Sequence, residues 1–184
     1  MWQTLTKTTR ILAAACLLAG FAGCEQRTDK EETGGVLLSI SDFGTLPIQV
    51  SASEGGLLQI DSITVSSVVK DPTGITSPLM NVEISSYEVS FTRADRGTRV
   101  PRPFVEHIFG SIPPGGSTTF NNLNFLHTDH LRSAPLADLA LTGRDAETGS
   151  TVIFLNVHFR FFGRTLSGDV VSSAPASFTI EVVP

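Results

Sequence analysis

The most chemically suggestive run in the chain is His127-Thr128-Asp129-His130. Histidines at i and i+3 fall on one face of a helical turn, and with a carboxylate between them they could ligate a divalent metal. A periplasmic ligand- or metal-binding site, or a weak hydrolytic centre, built on His127, Asp129 and His130 is therefore one expectation. The set offers at most three ligands, and nothing in the sequence brings His107 or His158 to it. Paired histidines beside a short turn also serve as solvated or capping residues, and on that reading there is no metal, no cofactor and no enzymatic activity.

Arg93, Arg96, Arg99 and Arg102 recur at every third position of RADRGTRVPR, the one basic concentration in an acidic chain. Such a loop offers guanidinium forks to phosphate, to lipid headgroups or to an acidic partner. The plainer alternative is a solvated hairpin tip partly neutralised by Asp95. No G-x-S-x-G elbow, phosphate loop, dinucleotide fingerprint or paired-carboxylate signature occurs.

Where these residues work is set at the start of the chain. Lys7 and Arg10 precede an apolar run, residues 11–23, with no acid before it. Thirteen residues are too few for the roughly 20 that an α-helix needs to cross a bilayer core, and they suit the apolar region of an export signal. The run ends Phe21-Ala22-Gly23-Cys24, which resembles the lipobox of bacterial lipoproteins. That resemblance implies removal of residues 1–23, diacylation of the Cys24 sulfur and a protein held in the envelope membrane by lipid, facing the periplasm or the cell exterior. Cleavage after Gly20-Phe21-Ala22, releasing a soluble protein, is the competing expectation.

All eighteen acids but only eleven of the thirteen Lys/Arg follow residue 24, leaving a formal −7 spread along the exported chain. That balance argues against nucleic acid as a partner. Only two cysteines exist, one in the signal and one at the acylation site, so the body of the protein has no thiol for a disulfide, a zinc site or a nucleophile. Residues 24–35 read as the lipidated cysteine and a polar, charged tether, able to extend about 35 Å from the membrane.

From Val36 to Pro184 the apolar pattern has period two. Val36, Leu38 and Ile40 alternate, as do Leu46, Ile48 and Val50; Leu57 to Val69 follows the break at Glu54-Gly55-Gly56. Val82 and Ile84 lie on one phase, Tyr87, Val89 and Phe91 on the other, so a bulge is expected at Ser85-Ser86. Ile153, Leu155, Val157, Phe159 and Phe161 are five successive same-face positions and mark the centre of the core, with Asn156, His158 and Arg160 on the wetter face. One short helical turn is expected near 127–133, with Thr128 as its cap, Leu131 inward and Pro135 limiting its length.

Eight or so strands separated by turn chemistry imply an all-β fold of two antiparallel sheets packed as a sandwich, forming a single domain over residues 36–184. The long strand, glycine-flanked turn and closing strand of the last 35 residues resemble the terminal hairpin of immunoglobulin-like sandwiches. Together the readings point to a non-enzymatic envelope lipoprotein whose domain binds an envelope protein or a surface polymer.

Overall fold

A computed structural model of the chain describes residues 35–47 and 49–184. The expected signal, Cys24, the expected tether before Gly35, and Ile48 lie outside the described residues. The fold is an all-β sandwich. One sheet has the order β1-β3-β6, built from Val36–Phe43, Leu58–Val69 and Ser117–Leu126. The other has the order β2-β9-β7-β4-β5, built from Gln49–Ser51, Ala176–Val183, Ile153–Thr165, Val82–Arg93 and Phe104–Ile112, with β8 (Val170–Ser172) also on β7.

β7 is central, as its alternation requires. Ile153, Leu155, Val157, Phe159 and Phe161 are all fully buried. β4 and β9 flank β7 with Tyr87 opposite Phe161, Phe91 and Phe178 opposite Val157, and Ile180 opposite Leu155. The expected bulge is there: both ladders of β4 shift register between Ile84 and Ser86. It brings the Glu83 carbonyl so close to Gly163 on β7 that a Cβ at that position would collide with it, which explains the glycine.

One pairing departs from the expected antiparallel sheets. β2 lies parallel to β9, Val50 opposite Val182. The chain leaves β1, crosses from one sheet to the other and continues as a short strand without a hairpin reversal, so it runs beside the last strand in the same direction. The helical segment is also richer than one turn: α1 (Thr128–Leu131) is followed by α2 (Leu136–Thr142), and Pro135 stands between them. Thr128 is not the cap. His127 occupies that position, and Thr128 Oγ1 donates instead to the Gly56 carbonyl at 3.1 Å.

The registers define two ends. Gly35, the β3–β4 loop, the β5–β6 hairpin and the β7–β8 turn share one, since Val36 pairs with Val69, Ser66 with Ser117, and Val82 with both Ile112 and Thr165. The 94–103 loop, α1, α2 and the loop before β7 share the other. β4 alone, twelve residues long, separates them by about 40 Å.

Candidate functional site

The arginine loop stands on Arg93, which follows Tyr87, Val89 and Phe91 in the inward phase of β4 and so turns its side chain under the loop. Its guanidinium is 2% exposed and contacts Asp95 at 2.7 Å and Asp145 at 2.8 Å. Burial by itself would raise the Asp145 carboxyl. Hydrogen bonds from Arg93 and Thr148, a backbone bond from Glu147 and the guanidinium charge outweigh it and hold the group at about 2. The same balance, with the Gly97 and Phe154 N–H groups as donors, lowers Asp95.

The loop above is braced at Asp95, Gly97, Thr98 and Arg99. Glu147 accepts from Thr98 N at 2.7 Å, Thr98 Oγ1 at 2.6 Å and Arg99 N at 3.0 Å. Arg93 Nη1 donates to the Arg99 carbonyl at 3.3 Å. Of the four arginines singled out in the sequence, Arg93 is therefore internal and unavailable to a partner, which corrects its place in the proposed binding loop. Arg99 is spent on a surface pair with Asp138 at 3.3 Å. Arg96 and Arg102 are exposed, and among the described residues neither has a carboxylate within ion-pair distance.

The histidine run packs against this same loop. His130 is buried, edge-on to Phe91 at 5.8 Å and tilted on Phe104 at 5.3 Å. Its Nδ1 accepts from the His127 backbone N–H at 3.0 Å, and the ring also hydrogen-bonds to the Arg102 backbone. Burial, with the charge of His127, pushes its pKa down despite Asp129 and Arg102. His127 Nε2 lies 2.9 Å from Glu106 Oε1, off the line of a proper hydrogen bond. Asp129 is exposed and turned to solvent. The run works as a helix cap that anchors the arginine loop; among the described residues no three His, Cys, Asp or Glu side chains are placed to hold a metal. His158 bonds to Thr92 on the sheet's outer face, away from this cap.

The chain matches no known protein family, no curated protein and no solved structure. Its chemistry must be read from its own geometry.

Two further features lie outside the candidates read from the sequence, one polar and one mixed. At the seam between the sheets, Glu106 on edge strand β5 points inward and accepts from Tyr87 Oη and from Asn124 Nδ2 at 2.9 Å; Gln59 donates to Asn124 Oδ1 at 2.9 Å. Burial first, then Glu106, pushes the Tyr87 phenol far up. An inward charge satisfied in this way protects the free edge of β5 from pairing with another chain. At the Gly35 end, an open groove of about 460 Å³ is lined by Val68, Val69 and Pro72 together with Ser66, Asp71 and Ser117. Among the described residues, no helix is long and apolar enough to cross a membrane.

The braces were partly legible in advance. Arg93 continues the inward phase of β4, and Asp145 opens a turn-like DAETG run. Nothing local says that the two meet.

Proposed function

We propose that the chain is a membrane-anchored lipoprotein of the bacterial cell envelope, carrying a non-enzymatic β-sandwich that binds or supports another envelope component. The observation that carries this reading is the apolar run closing on Phe21-Ala22-Gly23-Cys24, followed by a charged tether that gives way to strand β1 at Val36. Residues 1–23 direct export, the acylated Cys24 holds the membrane, and residues 24–35 space the domain on the periplasmic or outer face.

The architecture supports a binding role at the arginine end. Arg96 and Arg102 project from a loop whose backbone is fixed by Glu147, Asp95 and Arg93, so two cationic groups are presented with little backbone ordering cost on contact. Gly35 lies at the opposite end of the sandwich. A partner engaging these arginines meets the domain on the side away from its anchor, which favours an acidic envelope protein or an anionic surface polymer over the lipid that holds Cys24.

The test is Cys24→Ala in cells. The variant is expected in the soluble exported fraction, with the wild type in the membrane fraction and acyl mass on its N-terminal cysteine. Retention of the variant on membranes after a high-salt wash would overturn the reading.

A further inference from the structure

We infer that the Gly35 end of the sandwich is a membrane-resting face, which seats Ile75, Leu79 and Leu166 in the interfacial layer of the lipid that holds Cys24. The inference rests on the lipoprotein reading and adds to it an orientation and a second point of attachment.

Three large apolar side chains stand in solvent at this end: Ile75 is 98% exposed, Leu79 57% and Leu166 48%. Hydrogen bonds hold the backbones around Leu79 and Leu166 together. Leu166 N donates to the Asn81 carbonyl at 2.9 Å and Ser167 N to the Leu79 carbonyl at 3.0 Å, tying the β7–β8 turn to the short 3-10 turn Pro78–Met80. Ile75 follows a turn closed by Gly74 N on the Asp71 carbonyl at 3.1 Å, with Asp71 accepting from Thr73. The chain enters at the same place: Gly35 packs on Met80 of the 3-10 turn, and its carbonyl accepts from Lys70 N at 3.0 Å.

Charge distinguishes the two ends. The loops of the Gly35 end, residues 70–81, 113–116 and 166–169, contain three charged side chains, Lys70, Asp71 and Asp169. The loops of the other end carry one in 52–57, four in 94–103 and six in 127–152. Large apolar residues on loops with few charges suit the boundary between headgroups and acyl chains, where a charged loop would be held out in the water.

The tether supplies the occupant. Residues 24–35 span at most about 43 Å when fully extended, so the acylated cysteine keeps the bilayer permanently within reach of this end at high effective concentration. A soluble partner has no such advantage there, and the arginines that would recruit an anionic one are at the far end.

The test uses tryptophan as a reporter, because the only Trp in the chain is Trp2, which leaves with the signal. Ile75→Trp and Leu166→Trp, with Leu141→Trp on α2 as the far-end control, are purified from membranes. Each is checked by mass for acylation at Cys24 and by thermal melt for folding, then placed in phosphatidylcholine vesicles containing brominated acyl chains. Emission from the Ile75→Trp and Leu166→Trp proteins is expected to shift to shorter wavelength and to be quenched about twofold or more, with the Leu141→Trp protein unaffected. Acylated protein showing no quenching at positions 75 and 166, or equal quenching at 141, overturns this inference alone. Protein without acyl chains on Cys24 overturns the lipoprotein reading and this inference with it.

Discussion

Arg93 Nη2 and Asp145 Oδ2 meet at 2.8 Å, with 2% and 1% of their side chains exposed and 52 residues of sequence between them. This buried pair joins the end of β4 to the loop before β7, and the arginine loop is built over it. Removing Arg93 leaves Asp145 as a buried charge without its cation, which costs far more than the pair itself contributes, whereas without Asp145 the guanidinium still holds Asp95 at 2.7 Å.

Arg93→Ser is accordingly expected to destabilise the domain by about 3–5 kcal/mol in urea denaturation. Arg96→Ser with Arg102→Ser is expected to change it by less than about 0.5 kcal/mol, as surface substitutions do. The double variant should instead lose retention on an anionic polymer or acidic partner, most clearly at low salt. Equal retention across a salt series would remove these two arginines from the binding surface.

Acid should act through the same pair. Asp145 has its folded-state pKa depressed to about 2, below an unfolded value of about 3.9. The stability it contributes is present above the unfolded value and is lost as pH falls from about 4 toward 2, an effect on the order of 2 kcal/mol. Melting temperature followed from pH 5 to pH 2 should drop more steeply in the wild type than in Asp145→Asn, which is less stable at pH 5 but lacks this titration.

Val157→Asp is expected to unfold the domain, since Val157 is fully buried at the centre of β7 between Phe91 and Phe178. No hydrogen-bonding partner is available to a carboxylate there. A thermal melt unchanged from wild type would mean that β7 turns its other face to the core.

The seam between the sheets makes a different kind of prediction. Glu106→Ala should cost about 1–3 kcal/mol, because it leaves the buried Tyr87 hydroxyl without its strongest acceptor. Tyr87→Phe in the Glu106→Ala background should cost less than in the wild type, because the hydroxyl then keeps only its longer bond to the Asn124 carbonyl at 3.2 Å. Strict additivity in the four denaturation curves would show that the two side chains do not interact.

How much of this could be read from the chain differs from element to element. The five-residue apolar stripe of β7 and the phase slip at Ser85-Ser86 were written locally, and both appear as expected, because burial on one face of a pleated strand imposes its own period. The two-sheet sandwich followed from the number of such strands. The inward turn of Arg93 was also legible, as the next position in the phase of Tyr87, Val89 and Phe91, but the spacing of the four arginines drew attention to the loop instead.

Only the tertiary structure decided which carboxylates Arg93 meets, that β2 runs parallel to β9, and that His130 Nδ1 accepts from the His127 N–H in a helix cap beneath the arginine loop. It also decided that the arginines and the point where the chain enters lie at opposite ends. Sequence periodicity reports which face of an element is buried, a property each strand carries alone. Partners brought together across 52 residues depend on how whole sheets stack and which way each strand runs, and no local pattern records that.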